Sequence, residues 1–247
     1  HELSYSLARD IAGNIITSGY FYGTGDYDPG PGEVILTADA TSDFELFLSK
    51  LDSDGNFVWV NHFIGDNDAG SKSVITDGND IILFGDYNGI IDADAGPEVT
   101  ELTSAGGTDF LVAKYNADGA LLWAKSVGGL GNDVPLEGAV DEMGNIYFTG
   151  YFNNTVDFDP GPGIFNLTAV ESDGFICKWD VAGNFIWAAN FGDDGGDLGK
   201  SIYLDSLFNI YLTGYFDNTV DFNPGPEYFP LTCSYDDIFV LKLTQDY

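Results

Sequence analysis

The chain has 247 residues, of which 44% are hydrophobic and 15% aromatic, enough for one domain with a substantial core. Its formal net charge is −32, from 40 acidic and 8 basic residues. Such a surface repels nucleic acid and anionic lipid, which argues against both as partners, and favours divalent cations, cationic ligands or solubility in salt. No apolar run approaches the roughly 18 residues of a membrane-spanning helix. The two cysteines, Cys177 and Cys233, are too few for a disulfide scaffold and are predicted to be free and buried.

Four sequence markers recur along the whole chain. A glycine ends an apolar strand, a Gly-Pro turn follows it, and a lysine and a tryptophan come later in the same unit. The glycines are Gly19, Gly85, Gly150 and Gly214, the turns are 29–31, 95–97, 160–162 and 224–226, the lysines are Lys50, Lys114, Lys178 and Lys242, and the tryptophans are Trp59, Trp123 and Trp187. The lysines and tryptophans recur every 64 residues. The sequence therefore predicts a single domain of four units, approximately 1–69, 70–135, 136–199 and 200–247.

Each unit carries the pattern of four short strands. In the third unit, alternating apolar residues predict strands at 137–141, 145–152, 175–179 and 184–190. Gly183 suits the positive φ of the hairpin turn between the last two. Four antiparallel strands joined by tight turns and repeated radially are typical of a β-propeller. The fold class is therefore all-β, a β-propeller of four blades. A β-solenoid is the alternative, although solenoid coils repeat at roughly 20 to 30 residues.

An acidic insertion separates the second and third strands of every unit. It reads as a β-hairpin arm, with an Asp-x-Asp or Asp-x-Asn pair followed by the Gly-Pro turn. Paired carboxylates beside free backbone carbonyls are suitable ligands for calcium, although aspartates at turns also cap their own backbone. Both interpretations stay open. The candidate metal ligands are Asp26, Asp28, Asp92, Asp94, Asp157, Asp159, Asp221 and Asn223, with calcium as the candidate cofactor and no other cofactor expected.

The repeat resembles a known bacterial family. The segments GNIYFTGYF and DGFICKWDVAGNFIWAANFG of the third unit, and DFLVAKYNADGALLWAKSVGG of the second, are similar to the bacterial SBBP β-propeller repeats. The DFDPGPG insertion resembles a variant found in secreted proteins of the Bacteroidetes. The resemblance covers essentially the whole chain. It implies a propeller fold and a secreted or cell-surface location, and it implies little about activity.

Two further repeated features invite a functional or a structural interpretation. Glycine- and aspartate-rich connections between units contain Asp68, Asp133 and Asp197, which could bind a ligand on one face or could be solvated loops. The repeated lysine lies within a strand pattern, five residues after an acidic residue. We expect it to be an internal ion-pair partner with a structural role. A turn at 52–59, 116–123 and 180–187 superficially resembles the sialidase Asp-box, which is itself structural.

Symmetry argues against catalysis. A catalytic group need appear only once, whereas nearly every notable polar residue recurs in three or four units. The histidines His1 and His62 have no companions at metal-ligand spacing. The single-copy residues that would be examined first are Arg9, Glu137 and Lys125. The preferred function is a non-catalytic extracellular or cell-surface module with a binding, adhesive or structural role, including filament formation. The alternative is a carbohydrate-active propeller enzyme, a glycosidase or a lyase.

The fourth unit lacks the pattern of a fourth strand. The tryptophan-bearing strand has no counterpart after 237–243, so the last blade is predicted to be incomplete and to leave an apolar edge strand. Such an edge pairs readily with another chain. The expected partners are accordingly a protein or carbohydrate at the cell surface and, through the incomplete blade, a second copy of the chain or a longer array.

Overall fold

The computed structural model describes residues 2–39, 44–225 and 227–244. Those residues are all-β, and none of them forms a helix that could cross a membrane. Pro226 of the fourth predicted turn and His1 lie outside the described residues. The strands are β1 (Glu2–Arg9), β2 (Ile15–Phe21), β3 (Thr24–Asp26), β4 (Ile35–Thr37), β5 (Glu45–Leu51), β6 (Phe57–Phe63), β7 (Ala69–Asp77), β8 (Asp80–Tyr87), β9 (Ile90–Asp92), β10 (Glu101–Thr103), β11 (Asp109–Tyr115), β12 (Leu121–Val127), β13 (Val134–Val140), β14 (Ile146–Asp157), β15 (Asn166–Trp179), β16 (Phe185–Phe191), β17 (Leu198–Leu204), β18 (Ile210–Phe216), β19 (Thr219–Asp221), β20 (Pro230–Thr232) and β21 (Asp237–Leu243).

Four antiparallel sheets form the blades of a four-blade β-propeller, which confirms the predicted fold class. Sheet I has the strand order β1-β2-β5-β6, sheet II β7-β8-β11-β12, sheet III β13-β14-β15-β16 and sheet IV β17-β18-β21. In the described part of the chain, sheet IV therefore has three strands where the others have four, as predicted. The third-unit strands match the prediction in number and kind, and β14 and β15 extend further because they continue into the arm.

Each predicted insertion is a β-hairpin arm. Strand pairs β3/β4, β9/β10 and β19/β20 form separate two-stranded sheets, and the far ends of β14 and β15 pair in the same way. Three arms begin with paired threonine hydroxyls across the hairpin, for example Thr155 and Thr168 at 2.8 Å. The residue just before each arm has a positive φ, and it is glycine in two blades (Gly23, Gly89) and asparagine in the other two (Asn154, Asn218).

The described residues divide into two compact units. One comprises residues 1–104 and 110–126, with sheet I and nearly all of sheet II, and the other comprises 105–109 and 127–247, with sheets III and IV. In the first unit, Leu48 of sheet I and Val74 of sheet II belong to one buried core. In the second, Ile176 of sheet III and Ile202 of sheet IV belong to another. That the whole chain forms a single domain stays a prediction.

The recurrent glycine marks a close approach between the first two strands of a blade. A Cβ atom on Gly150 would lie 2.0 Å from the Val134 carbonyl oxygen, and one on Gly214 would lie 1.9 Å from that of Leu198. The same place carries a β-bulge, where the register shifts between Pro135 and Glu137. The backbones can approach in this way only because the glycine has no side chain.

Candidate binding site

The eight predicted metal ligands all lie at the base of the arm tips, one pair to each arm. The first aspartate of a pair accepts two backbone N–H bonds with one oxygen. Asp157 Oδ1 accepts the amide of Asp159 at 3.1 Å and that of Phe165 at 2.7 Å. The second residue accepts one, since Asp159 Oδ1 bonds to the Gly161 amide at 2.8 Å. The equivalent bonds recur in the other arms, at Asp26 and Asp28, Asp92 and Asp94, and Asp221 and Asn223.

These bonds are the local caps of Asx turns, which hold the tip of each arm together. In the first arm, the Val34 and Asp28 amides lower the pKa of Asp26 because they stabilise its charged form. Within the described residues, no group of three or more His, Cys, Asp or Glu side chains is close enough to hold a metal ion. The structure thus assigns these oxygens a turn-forming role, and calcium binding stays a prediction.

One arm borders an open pocket in the second unit. The pocket has a volume of about 390 Å³ and lies between the β19/β20 arm and the outer strand β16. Its lining includes Asp221 and Asn223 of the arm and Asn190 of β16. Asn190 donates to Asp173 Oδ2 at 2.6 Å, so its amide is held in place from behind. The pocket combines one charged and two amide side chains with the apolar Leu167 and Phe191, which suits a polar uncharged or cationic ligand.

Two pairs of carboxylates are buried in the second unit. Asp109 and Asp133 are 2% and 0% exposed, and Asp173 and Asp197 are 2% and 1% exposed. In each pair, one residue starts the third strand of a blade and the other precedes the first strand of the next blade. A Cβ atom on Gly192 would meet Asp173 Oδ1 at 2.6 Å and Asp197 Oδ2 at 2.9 Å, so these two carboxylates approach each other closely.

Backbone amides hold these carboxylates in place. Asp133 accepts the amides of Gly129 at 2.7 Å and Asn153 at 3.0 Å, and Asp197 accepts those of Asp193 and Asp217 in the same arrangement. Asp109 Oδ2 accepts the Ala105 amide at 2.8 Å, while its buried Oδ1 has no hydrogen-bond partner among the described residues. The solvated-loop interpretation is therefore wrong for Asp133 and Asp197, which are buried and whose side chains hold the connection to the next blade.

Burial changes the acidity of these groups. Desolvation, with a smaller contribution from Asp133, raises the pKa of Asp109 to about 6. Desolvation likewise raises the pKa of Asp197 to about 6, opposed by its bonds to the Asp217 and Asp193 amides. It also raises the pKa values of Asp133 and Asp173. Sequence reasoning noted these aspartates but missed that they are buried in pairs, because the partners come from different blades.

The repeated lysines have the structural role that was expected, with an unexpected partner. Lys50 Nζ lies 3.0 Å from Asp10 and Lys114 Nζ lies 2.7 Å from Asp77, and both aspartates belong to the turn between the first two strands of the blade. The acidic residue five positions earlier is not the partner in these pairs. The Lys50–Asp10 pair is buried and the Asp77 side chain is partly exposed, and each pair holds the turn against the third strand.

In the second unit the same lysine position pairs differently. Lys178 Nζ lies over the Tyr147 ring at 4.7 Å, and Lys242 Nζ lies over the Tyr211 ring at 5.2 Å. The Tyr147 hydroxyl donates to the turn residue Asp141 at 3.2 Å. In this unit a tyrosine hydroxyl therefore bonds to the turn aspartate, as the lysine does in the first unit. The position of Tyr147 is occupied by Ile16 in sheet I, which explains why the lysine there reaches the aspartate directly.

One of the single-copy residues has a repeat-equivalent structural role. Glu137 Oε2 accepts the Ile202 amide of the next sheet at 3.1 Å. Ser6 occupies the equivalent position in sheet I, and its hydroxyl accepts the Val74 amide at 3.0 Å. Glu137 is therefore a longer side chain performing the task of Ser6. The cysteines Cys177 and Cys233 are both free, and Cys177 is buried whereas Cys233 is half-buried.

Fold and site together define a β-propeller repeat protein. The chain is similar to an uncharacterised WD repeat-containing protein of Acanthamoeba polyphaga mimivirus, with 27% identity over 214 residues. The alignment covers 74% of this chain and 15% of the relative, so the chain spans about 15% of that protein's length. No family model matches the chain. A propeller repeat fold with a WD-repeat relative fits a binding or scaffold role.

Proposed function

We propose that this chain is a non-catalytic binding module of a secreted or cell-surface protein of the SBBP repeat type. Its ligand is a protein or carbohydrate at the cell surface, and its role is adhesive or structural. The net charge of −32 supports a medium rich in salt and cations, where self-repulsion is screened. The resemblance of its strands and DFDPGPG insertion to secreted Bacteroidetes repeats supports the location.

The pocket beside the β19/β20 arm is the observation that supports a binding role most directly. It places Asp221, Asn223 and Asn190 around an open volume of about 390 Å³. Hydroxyl groups of a sugar or side chains of a protein can bond to these three groups without any covalent chemistry. Asp221 Oδ1 is already bonded to two backbone amides, and Glu137 is engaged with the Ile202 amide. Both carboxylates therefore have a structural role, because each accepts hydrogen bonds from backbone amides.

Affinity electrophoresis against a panel of polysaccharides, combined with release of reducing ends, tests this proposal. Retention without turnover is the expected result for the module. Asp221→Asn should weaken retention, because it removes the charge at the pocket while keeping an oxygen for the turn. Asp157→Asn, which makes the same change in the turn of another arm, should leave retention unchanged. Turnover that is lost in Glu137→Gln would overturn the proposal and favour the carbohydrate-active enzyme.

We also propose that calcium stabilises the arms. The Asx turns orient each paired carboxylate, and an acidic surface concentrates divalent cations near them. Calcium sites of extracellular modules have dissociation constants near 1 mM. With that value, 10 mM calcium adds about 1.4 kcal/mol to the free energy of unfolding, or about 3–6 °C in Tm. Melting curves in calcium, in EDTA and in NaCl of equal ionic strength separate binding from screening. A calcium curve that coincides with the NaCl curve would remove the metal from the proposal.

A further inference from the structure

Backbone pairing closes the junction between sheets I and II. The Asp92 amide of the second arm donates to the Ile64 carbonyl at 3.0 Å, and the Asp66 amide donates to the Ile90 carbonyl at 2.9 Å. An isolated antiparallel bridge lies between these two bonds. The residues after β6 therefore form a short extra strand against β9, and the arm is joined to the preceding blade.

The corresponding junction between sheets III and IV is open. In the described part of the chain, no backbone hydrogen bond joins the residues after β16 to β19. The connection after β16 is also longer, with residues 192–197 in place of 64–68. Gly192 and Asp221, the counterparts of a pair that bonds between sheets I and II, both line the pocket of about 390 Å³. The pocket therefore takes the place of a pairing that sheets I and II make.

Small side chains widen this junction further. Three residues of the pocket lining are smaller than their counterparts in sheet I, namely Ala188, Ala189 and Gly192 in place of Val60, Asn61 and Ile64. Asn61 donates to the Gly119 carbonyl at 2.8 Å, a bond that an alanine side chain cannot make. At the position of Ala189, sheet II has Lys125, so the blade accommodates a lysine side chain at this place.

The side-chain atoms of the pocket that have no partner among the described residues are acceptors. Asp221 Oδ1 accepts the amides of Asn223 and Phe229, whereas no described residue bonds to Oδ2. Asn190 donates through Nδ2 to Asp173, which leaves its Oδ1 available. Both side-chain amide atoms of Asn223 are engaged in bonds of its own turn. A ligand therefore meets one carboxylate oxygen and one amide oxygen.

Charge and shape favour a cationic ligand over a sugar. Among the described residues, no lysine or arginine lines the pocket, and the chain carries a net charge of −32, so cations are concentrated near Asp221. Leu167, Ala188 and Pro224 offer apolar walls for the methylene stem of a long basic side chain. Phe191, the aromatic residue of the lining, is 6% exposed and offers little ring surface for stacking on a sugar.

We propose that this pocket binds the side chain of a lysine or an arginine of a protein partner. The cationic group donates to Asp221 Oδ2 and to Asn190 Oδ1, and its methylene stem packs on Leu167. The bond from Asn190 to Asp173 holds the amide in place, so part of the site is formed before the ligand arrives. This ligand class rests on the proposed binding function and selects a basic protein segment over a carbohydrate.

An NMR titration of the full chain tests this proposal, with the side-chain amide of Asn190 as the reporter. The cationic probes are N-acetyl-lysine amide and N-acetyl-arginine amide, and their neutral counterparts carry an Nε-acetyl-lysine and a citrulline. An ionic strength of about 0.15 M screens non-specific attraction to the acidic surface. We expect saturable shifts with a Kd on the order of 1 mM for the cationic probes. The neutral counterparts should bind roughly 10-fold more weakly, because they lack the charge that faces Asp221.

Two matched pairs of variants locate the site. Asp221→Asn should weaken binding of the cationic probes roughly 10-fold, whereas Asp157→Asn, the same change in the turn of another arm, should bind like the wild type. Ala189→Lys copies Lys125 of sheet II and should block the pocket with an ammonium group of the chain itself. Ile186→Lys adds the same charge to an exposed position of β16 outside the pocket lining and should keep the binding.

The outcomes separate this ligand class from the binding function itself. Equal binding of cationic and neutral probes, or equal affinities of Asp221→Asn and Asp157→Asn, would overturn the cationic ligand. Polysaccharide retention that depends on Asp221, without binding of either cationic probe, would also overturn it and leave the binding module standing. Turnover that is lost in Glu137→Gln would instead overturn the proposed function, whether or not the probes shift Asn190. Circular dichroism checks the folding of each variant, and Asp221→Asn decides the test if Ala189→Lys does not fold.

Discussion

The raised pKa values of two buried carboxylates, Asp109 and Asp197, reduce the stability of this protein as pH rises from about 4 to about 6. An aspartate in an unfolded chain has a pKa of about 3.9, whereas those of Asp109 and Asp197 are raised to about 6 in the folded chain. The folded state therefore binds more protons between these two values, so the stabilisation is complete below about pH 4 and is lost as pH rises through about 6. The sign is opposite to that of ordinary acid denaturation.

The size of the effect follows from the shift. A difference of two pH units in pKa corresponds to at most about 3 kcal/mol for each group, and solvent relaxation reduces this to about 1–2 kcal/mol. Asp109→Asn removes the buried charge and keeps an oxygen for the Ala105 amide. The difference between the variant and the wild type should be smallest at pH 4.5 and should reach about 1–2 kcal/mol in favour of the variant at pH 8, which is about 2–8 °C in Tm.

Urea unfolding followed by tryptophan fluorescence at pH 4.5, 5.5, 6.5 and 8 measures this difference, in 0.5 M NaCl to screen the general repulsion. Asp194→Asn is the control, because it removes the same charge from an exposed residue in the connection between sheets III and IV. The scan stops at pH 4.5 because the pKa values of Asp10 and Asp52 are lowered, and those groups lose their stabilisation at lower pH. If both variants differ from the wild type equally at every pH, burial of Asp109 is not the cause.

Two matched pairs of substitutions test the packing of the blades. Gly150→Ala should lower the free energy of unfolding by about 1–3 kcal/mol, since its Cβ would lie 2.0 Å from the Val134 carbonyl oxygen. Gly196→Ala is the control and should be nearly neutral in the same urea titration, because a Cβ there would meet no atom within 4 Å. Lys50→Met should lower the free energy of unfolding by about 3 kcal/mol, because Asp10 loses its buried partner. Lys242→Met should lower it by less than about 1 kcal/mol, because the Tyr211 hydroxyl still donates to Asp205. Equal losses from the two lysine variants would contradict the assigned partners.

The fold was predictable because its signals are local. The glycine at Gly150 and the turn glycine Gly183 act within a few residues of chain, and the repeat of 64 to 66 residues supplies four copies of the first and three of the second. The arm was predictable for the same reason, since its Asx turns use amides two and eight residues away. Such short-range chemistry can be read from sequence without knowing which blade lies beside which.

The buried carboxylate pairs were not predictable, because their burial depends on contacts between blades. Asp173 and Asp197 are 24 residues apart and belong to two different sheets, so no spacing rule connects them. The partner of Lys50 lies 40 residues earlier, at Asp10. Val240 also has the same sequence pattern as the buried Ile176, and only the packing of the sheets distinguishes an exposed position from a core one.

The arms have a consequence for how sequence can vary in this protein. The tip of each arm is held by its own local contacts, through cross-strand pairing such as Thr155 with Thr168 and through aspartates that accept amides of the same turn. A change at an arm tip, such as the exposed Ile164, therefore leaves the hydrogen bonds of the blade intact. Residues at the tips can therefore be substituted without loss of the contacts that fold the blades. A scaffold that displays variable loops requires this independence of the loops from the fold.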